Sequence, residues 1–270
     1  RRRLERKGRL ISSMINARGA DAALFESVAV ALGYKNNKLP FQLLAQRVPL
    51  AAAASRNGEA MLFGLAGFLE KPEPPAGAAR AEVAALWSDW WKLRAANTNA
   101  ILPRVAWKLT GIRPANHPLR RIGALAAIAK RWKAVRLSLE SGDPSRVEEV
   151  LGKLEHPFWS FHTTWASQRR ETPLALIGPD RIREIYANIA LPLAMMRGEE
   201  SDWRTIPSGP PNTSLRVVAA RLFGGSTPRA LPKKMFVHQG LLQIYGDFCL
   251  RDHGECAQCS FPSLVERLNP

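Results

Sequence analysis

Three cysteines near the C-terminus are the residues of this 270-residue chain best placed, by type and spacing, to do chemistry. Cys249, Cys256 and Cys259 stand in C-x6-C-x2-C spacing within FCLRDHGECAQCSF, and His253 lies between the first two. Thiolates suit zinc and iron–sulfur clusters because a soft anion binds them well, and a C-x-x-C pair on a tight turn aims two sulfurs at one ion. Cys256 and Cys259 supply that pair, Cys249 offers a third ligand, and His253 offers a nitrogen for a Cys3His zinc site. His238, one helix earlier, is a weaker fourth ligand. Zinc therefore stands ahead of an iron–sulfur cluster, with three partly buried thiols and no cofactor as the remaining reading. Thiols this crowded fit metal binding in a reducing compartment better than a disulfide framework, which favours the cytoplasm.

The second set is cationic. The chain carries 39 Lys+Arg against 23 Asp+Glu, a net charge of +16. That points to a polyanionic partner, nucleic acid ahead of a membrane surface. Arg113, Arg120 and Arg121 cluster where a helix begins, so their side chains and the free amides of that helix form a candidate phosphate site. Lys130, Arg131, Lys133 and Arg136 extend it along the helix, and Arg169, Arg170 and the opening RRRLERKGR add to the same field. The competing reading makes Asn116 a simple cap, Arg113 an ion-pair partner and the charge run a solvated face.

The elements that must position these residues read as helices. Leu24, Phe25, Val28, Ala31 and Leu32 recur at three and four, and Leu50 to Leu69 reads as a further buried helix. In RPANHPLRRIGALAAIAKRWKAVRLSLE, Pro118 suits the first helical position and Asn116 or His117 the cap. Leu125, Ile128, Trp132, Val135 and Leu139 form its apolar stripe, with Arg120 and the later cations off it. Asp143-Pro144 opens another helix, with Ser145 and Glu148 at capping-box spacing, and Pro192 predicts a kink in GPDRIREIYANIALPLAMM. Trp87, Trp90, Trp91 and Trp132 fall on apolar stripes and read as core, and His162 reads as a hydrogen-bonded core residue. The fold class is mainly α, an irregular multi-helix fold ending in a short Cys-rich loop. A helical body spans 1–232, with a sub-boundary near the proline-rich 71–80, and a terminal helix with the Cys-rich module spans 233–270.

Several phrases together resemble one family. ALGYKNNKLPFQLLAQRVPL, AMLFGLAGFL, RPANHPLRRIGALA, HPFWSFHTTW, IYANIALPLAM and the ending QGLLQIYGDFCL…CAQC are similar, in order, to segments of a bacterial family catalogued as domain of unknown function 2851. The resemblance implies the C-terminal helical part of a longer protein whose strand-rich N-terminal region is absent here. It implies no activity. The cysteine spacing separately resembles the start of the iron–sulfur loop of the endonuclease III family of DNA glycosylases, but Val265 stands where that loop has its fourth cysteine.

The leading expectation is a nucleic-acid-binding helical region, the substrate-gripping part of a DNA- or RNA-processing protein. One alternative is an interaction scaffold that docks the N-terminal region or another subunit, and a weaker one is an iron–sulfur glycosylase-like enzyme. No phosphate loop, dinucleotide fingerprint, nucleophile elbow or acid/base pair is legible, so no catalytic residue is assigned. No apolar run is long enough to span a membrane.

Overall fold

The computed structural model describes residues 1–72, 77, 79–199, 203–224, 231–250 and 256–268. The chain is mainly helical, and the one β feature among the described residues is an antiparallel bridge between Pro207 and Lys234. Helices run in the order α1 (Arg2–Arg18), α2 (Ala20–Leu32), α3 (Lys38–Arg47), α4 (Leu50–Ala54), α5 (Gly58–Leu65), α6 (Ala79–Arg94) and α7 (Pro118–Lys130). They continue with α8 (Trp132–Glu140), α9 (Pro144–Gly152), α10 (Pro179–Ile185), α11 (Leu191–Met196), α12 (Thr213–Phe223), α13 (Met235–Ile244) and α14 (Phe261–Leu268). None of the described helices is long and apolar enough to cross a membrane.

Most of the buried apolar residues form one core that runs from Leu4 to Met235. At its centre Trp159 and Trp165 pack on Phe63, with ring centroids 5.4 and 5.3 Å away. The indole of Trp159 lies directly on the α7 backbone, where a Cβ at Gly123 would collide with its Cδ1. Gly123→Ala is therefore expected to lower stability by about 2–3 kcal/mol in urea titration, because a packed core has no room for a methyl group there.

Proline and histidine set two of the chain's turns in the same way. In His117-Pro118-Leu119 the Nδ1 of His117 accepts the Leu119 amide at 3.3 Å, capping α7. In His156-Pro157-Phe158 the Nδ1 of His156 accepts the amides of Phe158 and Trp159 at 3.1 and 3.2 Å. Proline has no N–H, so the next amide along is the first that a preceding side chain can satisfy. Of the two cap candidates, His117 is the one used.

Several local expectations change. The apolar stripe from Leu125 to Leu139 is buried as read, yet the helix breaks at Arg131, whose backbone leaves the helical region. The buried helix expected over Leu50 to Leu69 is divided at Ser55–Asn57 into α4 and α5. At α9 the cap is Asp143, which accepts the Ser145 amide at 2.9 Å, not Ser145 itself. The kink expected at Pro192 is a π-helical turn over Tyr186–Ala190, joining α10 to α11 just before the residue that cannot donate a helical hydrogen bond.

Of the α6 tryptophans, Trp90 is fully buried, whereas Trp87 and Trp91 are 42% and 46% exposed. Trp90 donates to Glu70 at 3.1 Å, while Trp87 and Trp91 stand edge to face on the outer side of the helix, 5.2 Å apart. Residues 87 and 91 are one turn apart, and 90 falls on the adjacent face, so a single stripe could not bury all three.

Beyond residue 207, α12 and α13 share a separate small cluster built on Leu215, Val218 and Leu241, with Cys249 packed against its edge. The boundary expected at 232–233 falls between these two helices, which pack on each other. Residues 73–76 of the proline-rich stretch lie outside the described residues.

Candidate functional site

The expected phosphate site at the start of α7 is not a surface feature. Arg120 and Arg121 are 1% and 3% exposed. Arg120 donates all five of its N–H groups to backbone carbonyls. Nε meets Trp159 at 3.0 Å, Nη1 meets Ala115 and Leu176 at 3.3 and 3.4 Å, and Nη2 meets Leu174 and Ala175 at 2.7 and 2.9 Å. Arg121 donates to the Leu176 carbonyl and, at 2.7 Å, to Oδ1 of Asn116, and it lies over the Tyr34 ring. Arg181 covers that ring too, with its guanidinium carbon 3.4 Å from the centroid. Burial pulls both α7 guanidinium groups down to about 10, which leaves them charged at neutral pH. These two arginines staple loops together and are unavailable to phosphate.

The remaining sequence-assigned cations lie nearer the surface. Arg113, Lys130, Arg131, Lys133, Arg169 and Arg170 are exposed. Arg136 is engaged with Asp21 at 3.0 Å and Glu140 at 2.8 Å. Arg169 rests on the Phe161 ring, 3.9 Å from its centroid.

At the C-terminus Cys256 is exposed and Cys249 and Cys259 are half-buried, all as free thiols. His253 lies outside the described residues. His238 is turned toward Ser208, with Nε2 3.3 Å from its hydroxyl, and burial lowers its pKa. His162 is buried, stacked on Phe158 and donating Nδ1–H to the Ser167 carbonyl.

Among the described residues, three potential metal ligands converge at Glu59, Glu82 and His156, whose ligand atoms lie within 4.8 Å of one another. Their hydrogen bonds argue against a metal. Because Nδ1 of His156 accepts two backbone amides, its proton resides on Nε2, which donates to Glu59 at 3.0 Å. Binding an ion through Nε2 would require an imidazolate. The other Glu59 oxygen accepts Trp159 Nε1 at 3.0 Å. The cluster is a buried tie between α5 and the loop after α9. Burial and the charge of Glu59 raise the pKa of neighbouring Glu82.

A cleft between α1, α2, α3, α10, the π-turn and α13 brings together polar residues from distant parts of the chain. Its two lobes, of 460 and 350 Å³, share Arg3, Lys38, Glu184 and Asn188. Arg3 and Lys7 stand one turn apart on α1. Arg3 Nε donates to Oε1 of Gln239 at 3.1 Å, and Lys7 Nζ reaches the same oxygen at 3.3 Å and also bonds Asn188 Oδ1. The Asn188 amide cannot be reversed, because its Nδ2 donates to the Glu184 carbonyl at 2.6 Å.

Carboxylates near this cleft are committed elsewhere. Glu26 binds Arg18, Gln42 and Gln46, Glu184 binds Arg181, Asp180 binds Arg183, and Asp247 accepts from Gln243 at 2.5 Å. Burial, followed by the charges of Arg3, Arg6 and Lys38, lowers Lys7 to about 7, with Glu184 opposing weakly. Arg3 and Lys38, which form no ion pair among the described residues, flank the Lys7 amine in an arrangement suited to an anion.

A family model described as protein of unknown function (DUF2851) matches residues 1–207. The chain belongs to this family. No curated protein and no solved structure matches it. In this DUF2851 member, the matched span covers α1 to α11, including Arg3, Lys7, Lys38 and Asn188, and stops before the α12–α13 cluster; Gln239 is supplied by α13.

Sequence reading misses the cleft, although part of it is legible. Leu4, Gly8, Ile11 and Ile15 follow 4-3-4 spacing and form the inward stripe of α1. Arg3, Lys7, Leu10 and Met14 form the adjoining row, which lines the larger lobe.

Proposed function

We propose that this chain binds nucleic acid through the sugar-phosphate backbone, as the gripping part of a DNA- or RNA-processing protein. The supporting observation is the way charge is distributed. The fold commits many of its carboxylates to internal partners, as in Glu5–Arg1, Glu26–Arg18, Glu70–Arg94, Glu149–Lys153 and Glu199–Arg197. Arg2, Arg6, Arg9, Arg113, Lys130, Arg131, Lys133 and Arg170 stay exposed and form no ion pair among the described residues. Such cations bind phosphates by releasing counterions, without reading bases.

The test is a fluorescence anisotropy titration with single- and double-stranded oligonucleotides between about 50 and 200 mM salt. Affinity is expected to fall steeply, and combined Lys130→Ala, Arg131→Ala and Lys133→Ala is expected to reduce the log–log salt slope by about 2–3. Absent binding, or a slope unchanged by the triple variant, rejects the reading.

A second reading, a scaffold that docks another chain, is favoured by the exposed Trp87–Trp91 pair, since paired aromatics on an outer helix face suit protein docking. Nucleic-acid affinity unchanged by Trp87→Ala and Trp91→Ala would show that this face does not grip nucleic acid, and loss of capture of a second chain by the same variants would assign it to a protein partner.

A further inference from the structure

We propose that Lys7 is an amine nucleophile that captures a phosphate-bearing aldehyde as an imine inside the α1–α3–α10 cleft. The ligand chemistry is set by the cleft alone and does not depend on the nucleic-acid reading.

Lys7 lines the 460 Å³ lobe, a space large enough for a small sugar phosphate, and its amine is bonded to Asn188, which lines both lobes, and to Gln239 of the smaller one. Both of its hydrogen-bond partners, Asn188 Oδ1 and Gln239 Oε1, are amide oxygens, and neither can be reversed, because Asn188 Nδ2 is bound and Gln239 Oε1 also accepts from Arg3. A neutral amine has two hydrogens and one lone pair. With both hydrogens held by these acceptors, the lone pair is left for attack.

The charges facing the amine come from Arg3 and Arg6 on α1, Lys38 on α3 and Glu184 on α10. Arg181 is spent on Glu184, and Glu26 of α2 on Arg18. Asp247, beyond α13, acts on Arg3 and bonds Gln243. The balance at Lys7 is positive, which favours the free amine, and burial acts the same way. Arg3 and Lys38 line both lobes and supply the cations that would hold a phosphate beside the carbonyl.

In the reaction the Lys7 nitrogen pair attacks the aldehyde carbon, forming a C–N bond while the carbonyl oxygen takes a proton. The carbinolamine then loses that oxygen as water, and nitrogen releases its remaining proton as the C=N bond forms. Amine and aldehyde become imine and water, with no change in oxidation state. Added cyanoborohydride delivers hydride to the imine carbon and fixes the adduct as a secondary amine.

The experiment treats the 270-residue chain with glyceraldehyde 3-phosphate and cyanoborohydride and locates the adducts by peptide mass spectrometry. Lys7 is expected to label about tenfold faster than exposed Lys130 at pH 7, since an ordinary lysine there is almost wholly protonated. Its rate is expected to level off just above pH 7 while that of Lys130 keeps rising. Lys7→Arg removes the adduct. Asn188→Asp, which keeps the lysine but sets a carboxylate beside it, is expected to slow labelling about tenfold at pH 7 by restoring the ammonium form.

Labelling of Lys7 no faster than Lys130 overturns the proposal, as does equal labelling by glyceraldehyde without its phosphate. A parallel arm uses a duplex with an abasic site, whose open sugar is also an aldehyde flanked by phosphate. Trapping of that duplex assigns the source to nucleic acid, and trapping of the small molecule alone assigns it to a free sugar phosphate; both support the imine. Loss of salt-dependent binding to intact oligonucleotides, with Lys7 labelling retained, rejects only the nucleic-acid reading.

Discussion

Arg120→Ala is expected to cost about 3–5 kcal/mol, as two or more buried carbonyls left unpaired would, a large part of the roughly 5–15 kcal/mol that holds a typical domain folded. The chain should then unfold far earlier in heat or urea, or accumulate as aggregate. The loss is not that of an ion pair. Arg120 meets no carboxylate; its full set of guanidinium donors satisfies the carbonyls of Ala115, Trp159, Leu174, Ala175 and Leu176. Removing the side chain leaves those oxygens without that donor, and each unsatisfied buried group adds its own desolvation cost. Arg120→Lys is expected to recover little, because an ammonium has three donors on one nitrogen and cannot reproduce a planar fork that spans the start of α7 and two loops. A loss below about 1 kcal/mol in a urea titration of Arg120→Ala would show that the loops hold their place without it.

That clamp shows where sequence reading stops. Local chemistry is legible: the His117 cap, Pro118 at the first helical position, the stripe from Leu125 to Leu139 and the helical class all follow from short-range spacing. Arg120 and Arg121 escape it because an arginine pair beside a helix start has the same local pattern whether it faces solvent or a loop. Here the loop is residues 174–176, more than 50 positions away. Lys7 is the same problem at longer range, since its partners Asn188 and Gln239 lie 181 and 232 positions along the chain. The α1 stripe places Lys7 at the edge of a buried face, but nothing local says which residues close over it. For the cysteines, composition and spacing are informative about ligand type, while His253 lies outside the described residues.

Lys7→Gln is expected to stabilise the fold at neutral pH, by about 4 kcal/mol before the altered hydrogen bonds to Asn188 and Gln239 are counted. The sign follows from proton linkage. Lys7 falls from 10.5 to about 7 on folding, so between those values the unfolded chain holds a proton that the folded chain has released. Stability then rises with pH across that window, and nearly the whole penalty is present at pH 7 and below. The gap between Lys7→Gln and the parent should therefore be widest near pH 6, narrow steadily from pH 7 and close above about pH 10. Comparing the two chains cancels the other groups that titrate over the same range. Phosphate in the cleft would act in the opposite direction, raising the melting temperature of both chains, because it supplies counter-charge to Arg3 and Lys38, which the variant retains. Equal stability of the two chains at every pH would mean that Lys7 is solvated in the folded state and carries an ordinary amine. A pH-dependent gap would instead show a cost in stability borne by the buried Lys7 ammonium, the pattern expected where function and stability compete.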